Sequence, residues 1–115
     1  MCIRDSFYAD GLGLTEVTKP DALAGRGGVW FRSYDAEGRV VAELHVGVEE
    51  PFSPARKAHP AFVLDDVADL EAAASRLTGL GFEVDMRERD TFTGFERFHA
   101  FDVAGNRVEM LSPQG

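Results

Sequence analysis

The alternation of apolar and polar side chains along the chain indicates several short strands and one longer helix. Successive side chains of a strand point to opposite faces, so alternating segments are interpreted as strands. We predict strands at 14–18, 29–34, 39–48, 59–64, 82–86, 96–101 and 106–111. Val67, Leu70, Ala74 and Leu77 follow the spacing of an amphipathic helix that begins after Asp65 or Asp66 and ends near Thr78. Residues 7–12 have the pattern of a helix end, and residues 21–28 are predicted to form a loop.

The two halves of the chain repeat one order of elements. A Leu-Gly pair precedes a strand at 12–13 and again at 80–81, and Asp-x-x-Gly turns a hairpin at 35–38 and again at 102–105. The second half reads strand, helix and three strands, whereas the first half begins with the helix. We therefore expect that one strand is missing before Phe7.

The first six residues do not match the pattern that follows them. Met-Cys-Ile-Arg-Asp-Ser resembles a translated sequencing-adapter remnant, although a natural frayed terminus is the alternative. We interpret residues 1–6 as non-native and residues 7–113 as a single domain. That domain is predicted to consist of module 1 (7–50), a linker (51–57) and module 2 (58–113).

Composition narrows the class of protein. The chain has 115 residues, 44% of them hydrophobic, and a net charge of −8, which suits one globular domain and excludes a disordered chain. A single cysteine excludes a disulfide scaffold. No apolar run approaches the roughly 20 residues that cross a bilayer. The acidic charge argues against a nucleic-acid partner, and a cytoplasmic location is expected.

Four segments together resemble the vicinal oxygen chelate superfamily, which includes glyoxalase I, bleomycin-resistance proteins, extradiol dioxygenases and fosfomycin-modifying transferases. The segments are Phe-Tyr…Leu-Gly-Leu at 7–14, Glu-Leu-His at 43–45, His-Pro-Ala-Phe-Val-Leu-Asp-Asp at 59–66 and Gly-Asn-Arg-Val-Glu at 105–109. The resemblance implies an α+β fold of paired βαβββ modules, with the first strand of module 1 missing here.

The resemblance also implies a set of metal ligands, drawn from the first and last strands of each module. Module 2 offers His59 and Glu109, and module 1 offers Glu43 or His45. The Glu-Leu context favours Glu43, and the ligand expected from a strand before Phe7 has no counterpart. Imidazole and carboxylate ligands suit a divalent metal such as Zn, Ni, Fe(II) or Mn.

Each candidate ligand also has a simpler interpretation. Glu109 and Glu43 are predicted to be catalytic, because a carboxylate beside a metal can transfer a proton. Glu109 could instead be a solvated strand residue, and whichever of Glu43 and His45 does not bind the metal could support the ligands or face the substrate. His59 could be an ordinary histidine at a strand end. His99 is interpreted as a strand filler or a cavity wall rather than a ligand.

Three interpretations remain open: two different functions, and a fragment without activity. The first is a divalent-metal-dependent enzyme, of lyase, isomerase or dioxygenase type, acting on a small vicinal-oxygen substrate. The alternative is a metal-free protein that binds a small molecule or drug, as bleomycin-resistance proteins do. The third is an inactive fragment that lacks one ligand strand. A bare sheet edge also leads us to expect a homodimer, and no membrane partner is expected.

Overall fold

The computed structural model describes residues 3–48, 53–55 and 57–115. Cys2, the end of predicted module 1 and part of the predicted linker lie outside these residues. The chain divides into two compact units, residues 1–52 and 53–115. The described part contains no helix with the length and apolar character needed to span a membrane.

The first unit is a three-stranded antiparallel sheet preceded by helical turns. Its elements in chain order are a helical turn α1 (Ile3–Ser6), a π-helical turn (Phe7–Gly11), β1 (Thr15–Val17), a 3-10 helix (Asp21–Arg26), β2 (Val29–Tyr34) and β3 (Val40–Val46). The strand order is β1-β2-β3. Among the described strands, β3 therefore pairs with β2 alone.

Three aromatic residues form the core of the first unit. Phe7 and Phe31 are completely buried, and Tyr8 is nearly so. The ring centroids of Phe7 and Tyr8 lie 4.9 Å apart, and those of Tyr8 and Phe31 lie 5.3 Å apart. These contacts hold the helical turns against β2, since large buried aromatic surfaces dominate the energetics of a small core.

The second unit is a four-stranded mixed sheet with one helix. Its elements in chain order are β4 (Ala61–Val63), α2 (Val67–Gly79), β5 (Val84–Asp85), β6 (Phe95–Phe101) and β7 (Arg107–Pro113). The strand order is β4-β7-β6-β5, in which β4 runs parallel to β7 and the other pairs are antiparallel. The strand β7 therefore has a neighbour on each side.

The helix α2 covers one face of this sheet. The Asp66 carboxylate accepts a hydrogen bond from the Asp69 N–H at 2.8 Å, which caps the first turn. The buried side of α2 carries Leu70 and Leu77, and the buried sheet residues Phe98 and Met110 face each other on β6 and β7. Because strand side chains alternate, the residues between these positions point to the opposite face.

A tight turn sets the register between β6 and β7. The Asp102 carboxylate accepts hydrogen bonds from the N–H groups of Ala104 at 3.0 Å and Asn106 at 2.9 Å. Gly105 adopts a φ of 90°, in the left-handed region that glycine tolerates best. This turn pairs Phe101 with Arg107, and the register then continues along the hairpin.

The α+β fold class is confirmed, and the structure corrects several predicted bounds. The predicted loop at 21–28 contains a 3-10 helix, which begins where the Leu23 N–H donates to the Pro20 carbonyl at 2.8 Å. The strand expected at 82–86 is reduced to β5, and the last strand extends to Pro113 instead of ending at Leu111. The proposed domain and module boundaries remain predictions.

Candidate metal centre

One face of the second unit's sheet brings together three potential ligands from neighbouring strands. Glu109 lies on β7, directly opposite His99 on β6 and Ala61 on β4. His59 precedes Ala61 by two residues, so it shares the face of Ala61. The Glu109 N–H donates to the Pro60 carbonyl at 2.9 Å, which extends the β4–β7 pairing toward His59. The sheet itself thus positions all three side chains.

One carboxylate oxygen is the centre of the cluster. Glu109 Oε1 lies 3.0 Å from His59 Nε2, 3.4 Å from His99 Nε2 and 3.3 Å from Arg97 Nη1. The side chains of Glu109 and His99 are each only 7% exposed. The ligand atoms of His59, His99 and Glu109 all lie within 4.8 Å of one another.

Two of the three spacings between ligand atoms fit a bound divalent metal. Ligand bonds of about 2.1 Å place neighbouring ligand atoms about 3.0 to 3.4 Å apart in octahedral or tetrahedral coordination. The two distances from Glu109 Oε1 to the histidine nitrogens, 3.0 and 3.4 Å, match that range. Two imidazoles and a carboxylate also form the donor set used by non-haem Fe(II) and catalytic Zn sites.

A backbone carbonyl favours the tautomer of His59 that a metal requires. His59 Nδ1 lies 3.0 Å from the Lys57 carbonyl oxygen, a distance at which an Nδ1–H donates to that oxygen. With its proton on Nδ1, the ring can bind a metal through Nε2. Metal-binding histidines are commonly held in this way. Without a metal, the 3.0 Å contact between Nε2 and Glu109 Oε1 is a hydrogen bond that Nε2–H donates. Arg107 Nη2 lies farther from the same Nδ1, at 3.3 Å, and would favour the opposite tautomer.

The charges around the cluster favour the ligating forms of two residues. Burial lowers the pKa of His99, and the positive charge of Arg107 lowers it further, so the imidazole is neutral near pH 7. Burial acts to raise the pKa of Glu109, but the hydrogen bond from His59 and the charge of Arg97 outweigh it, and the pKa is lowered. Glu109 is therefore ionised.

Arg97 is the basic residue that contacts this carboxylate. Besides its contact with Glu109, its guanidinium donates to Thr91 Oγ1 at 2.8 Å and to the Glu88 carbonyl oxygen at 3.3 Å. It also lies 5.7 Å from the centre of the Phe92 ring. These contacts fix a positive charge beside Glu109, where it competes with a cation for the same oxygen.

The first unit places its two candidate ligands side by side on β3. Glu43 Oε2 lies 2.8 Å from His45 Nε2, and Glu43 Oε1 accepts from Arg32 Nε at 2.7 Å. The His45 ring stacks on Trp30 with centroids 3.6 Å apart. Both oxygens of Glu43 are therefore occupied within the unit, and the hydrogen bond from Arg32 lowers its pKa. The choice between Glu43 and His45 as a ligand remains a prediction.

His99 is the member of the cluster that the sequence analysis did not identify as a ligand. Its side chain contacts Glu109, and its ring lies 5.5 Å from the His59 ring, so a ligand role stands beside the predicted roles of strand filler or cavity wall. The signal was available in the sequence. In the hairpin closed by the turn at 102–105, each step back along the first strand matches one step forward along the second. Because Phe101 pairs with Arg107, His99 pairs with Glu109.

The fold and the cluster of His59, His99 and Glu109 define a class of small α+β proteins in which histidines and a carboxylate meet on one face of a sheet. The family model of the Glyoxalase/Bleomycin resistance protein/Dioxygenase superfamily matches residues 6–110. The chain therefore belongs to this superfamily, and the resemblance drawn from the sequence motifs is confirmed.

Solved structures of related proteins agree with this assignment. A glyoxalase family protein from Bacillus anthracis is 33% identical, with a TM-score of 0.76 over 94% of this chain and 80% of that chain. Lactoylglutathione lyase from Agrobacterium tumefaciens is 21% identical, with a TM-score of 0.65 over 96% and 83%. The antibiotic-binding protein TnmS3 from a Streptomyces species is 21% identical, with a TM-score of 0.63 over 96% and 84%. No curated protein matches the chain.

Proposed function

We propose that this protein is a divalent-metal-dependent enzyme of the glyoxalase type that acts on a small molecule with vicinal oxygens. The observation that carries the proposal is the convergence of His59, His99 and Glu109, whose ligand atoms lie within 4.8 Å of one another. Two imidazoles and a buried carboxylate form a donor set that suits a divalent metal. The proposed metal ligands of the second unit are these three residues.

A bound metal would supply Lewis-acid polarisation of a substrate oxygen at this centre. His59 and His99 would hold it through Nε2, and the Lys57 carbonyl keeps the His59 ring in the required orientation. Burial of Glu109 and His99 excludes bulk water from their side of the centre, which strengthens electrostatic interactions there.

Glu109 is also the proposed proton acceptor. Its Oε1 receives the contacts of His59, His99 and Arg97, and among the described residues no hydrogen-bond donor contacts Oε2. Oε2 can therefore take a proton from a carbon or hydroxyl group of the substrate. Glu43 is the second proposed acid–base residue. Its lowered pKa keeps it ionised, and it would give up its contact with His45 to accept a proton.

The first test is metal binding by the full chain. We expect Zn²⁺, Ni²⁺ or Mn²⁺ titrated into metal-stripped protein to bind with one-to-one stoichiometry in calorimetry. The Glu109→Gln variant, which keeps the shape of the side chain, should lose most of that affinity. Glu96→Gln is the matched control, because Glu96 lies on the same hairpin and pairs with Arg89 instead. Equal metal affinity in the wild type and in Glu109→Gln would contradict the proposal.

The alternative function is metal-free binding of a small molecule. The observation that favours it is the Arg97–Glu109 contact at 3.3 Å, since a guanidinium already neutralises the carboxylate. The acidic net charge of −8 would then attract cationic ligands. Tight binding of a cationic drug by protein that takes up no Zn²⁺, Ni²⁺ or Mn²⁺ would favour this function over the enzyme.

A further inference from the structure

A cavity of about 280 Å³ lies next to the candidate metal centre, on the same side of the second unit's sheet. Its lining consists of Asp85, Arg87, Glu88, His99, Phe101 and Arg107. His99 belongs to both the cavity and the metal centre. Arg107 precedes Glu109 by two residues on β7, so the two side chains share a face. Whatever fills this cavity therefore lies beside the metal ligands.

The two arginines of the cavity differ in their partners. Arg87 is fully paired, because its guanidinium contacts both oxygens of Asp85 at 2.6 to 3.1 Å. No carboxylate lies within ion-pair distance of the Arg107 guanidinium in the described part of the chain. Its one described side-chain contact is Nη2 to His59 Nδ1 at 3.3 Å. Arg107 is thus the arginine of the cavity that has no carboxylate partner, although the carboxylates of Asp85 and Glu88 also line the cavity.

An unsatisfied donor also points to a missing acceptor. Arg107 Nε is buried and has no hydrogen-bond partner among the described residues. Buried N–H groups in folded proteins almost always have a partner, so such a donor calls for an acceptor that the described residues do not supply. The planar guanidinium fork pairs best with the two oxygens of a carboxylate.

We propose that this cavity, the Arg107 pocket, binds the carboxylate of a substrate whose neighbouring carbon carries a hydroxyl or carbonyl oxygen. This inference rests on the proposed function, since the second oxygen is directed to the metal centre. Arg107 Nη2 lies 3.3 Å from His59 Nδ1, and Nε2 of the same ring lies 3.0 Å from Glu109 Oε1. The carboxylate and the second oxygen of a 2-hydroxy or 2-oxo acid lie on adjacent carbons, so the carboxylate can pair with Arg107 while the second oxygen faces the metal centre.

The pocket implies selectivity for the charge as well as for the size of the substrate. A neutral amide of the same shape leaves the guanidinium of Arg107 without an anionic partner. Sites built around a polar group discriminate strongly against analogues that lack its partner. We therefore expect glycolate to bind and its uncharged isostere glycolamide to be rejected.

The test follows glycolate and glycolamide binding to the ¹⁵N-labelled full chain by NMR chemical-shift titration, with and without Zn²⁺. We expect glycolate to bind at least about tenfold more weakly to Arg107→Gln than to the wild type, because a charge-assisted bond is lost. Arg107→Lys should be intermediate, since it keeps the charge without the fork. Arg39→Gln, an exposed arginine of the first unit, is the matched control and should bind within about twofold of wild type.

The outcomes separate the pocket from the metal function. If Zn²⁺ binds but neither Arg107 variant changes glycolate affinity, or if glycolamide binds as tightly, the Arg107 pocket is wrong and the metal function stands. If glycolate binding depends on Arg107 while Zn²⁺ neither binds nor alters it, the anion pocket stands and the metal function is wrong. If the wild type binds neither glycolate nor Zn²⁺, both proposals are overturned.

Discussion

The two units of this protein carry the same pair of chemical groups and hold them differently. In the first unit, Glu43 and His45 lie on β3, which has one described neighbour, and they contact each other. In the second unit, Glu109 lies on β7 between β4 and β6, and its contacts come from both sides. The Glu109 side chain is 7% exposed, whereas that of Glu43 is 31% exposed.

This difference teaches how a sheet builds a ligand cluster. Two side chains at alternate positions of one strand can satisfy each other, as Glu43 and His45 do. A carboxylate in a central strand instead receives side chains from two neighbours, which gives three ligands around one point. The position of a strand in its sheet therefore decides whether its carboxylate becomes a partner in a pair or the centre of a site.

The largest expected difference between the two units is in the effect of replacing each carboxylate on Zn²⁺ affinity. We expect Glu109→Gln to weaken Zn²⁺ binding by about 100-fold or more, because a direct ligand is lost. Glu43→Gln should cost less than about tenfold, because both oxygens of Glu43 are already engaged in the first unit. Isothermal titration calorimetry measures both. A larger loss in Glu43→Gln than in Glu109→Gln would reverse the assignment.

The histidines provide the next comparison. We expect His99→Gln to weaken Zn²⁺ binding by about 10- to 100-fold, since its Nε2 lies at ligand spacing from Glu109. His45→Gln is the counterpart from the first unit and should have the smaller effect. Circular dichroism confirms that both variants are folded. Unchanged Zn²⁺ affinity in His99→Gln would show that His99 is not a ligand and only lines the cavity.

Replacing Arg97 tests the comparison through an expected gain, rather than a loss, of metal affinity. Removing its charge should raise metal affinity about tenfold in Arg97→Gln, because the guanidinium competes with the cation for Glu109 Oε1. The metal-free variant should melt at a lower temperature, since Glu109 loses a partner. Arg89→Gln, whose partners are Glu71 and Glu96, is the control. Weaker metal binding in Arg97→Gln would show that Arg97 positions Glu109 for the metal.

The smallest expected effect concerns acid sensitivity. Hydrogen bonds from Arg87 lower the pKa of Asp85 to about 2. Because this folded-state pKa is below the unfolded value of about 3.9, the pair stabilises the fold above that value and loses its contribution as the pH falls toward 2. Asp85→Asn should therefore lose less stability between about pH 5 and pH 2 than the wild type in urea unfolding. Asp21→Asn, an exposed aspartate of the first unit, is the control and should follow the wild type.

Much of the fold was accessible from local patterns. The stripe of α2 and the turn at 102–105 depend on neighbouring residues, so sequence spacing predicted them. His59 and Glu109 were paired through the family motifs, and the structure brings them to 3.0 Å. His99 was not predicted as a ligand, because a lone histidine on a strand carries no signal until the register is worked out.

Other features depend on contacts that no local pattern contains. The position of Arg97 over Glu109 is set by Thr91 and by the Phe92 ring in a loop before β6. Likewise, the 3-10 helix at 21–26 replaces an expected loop, since a run rich in glycine and alanine carries little periodicity. Side-chain direction and tertiary contacts decide such features.

The most direct measurement of the central claim follows the ring nitrogens of the three histidines, His45, His59 and His99, by ¹⁵N NMR as Zn²⁺ is added to the full chain. Assignment comes from single His→Gln variants. We expect Nε2 of His59 and of His99 to shift together and to saturate at one equivalent of Zn²⁺. Zn²⁺ binding that leaves both of these nitrogens unshifted would contradict the account.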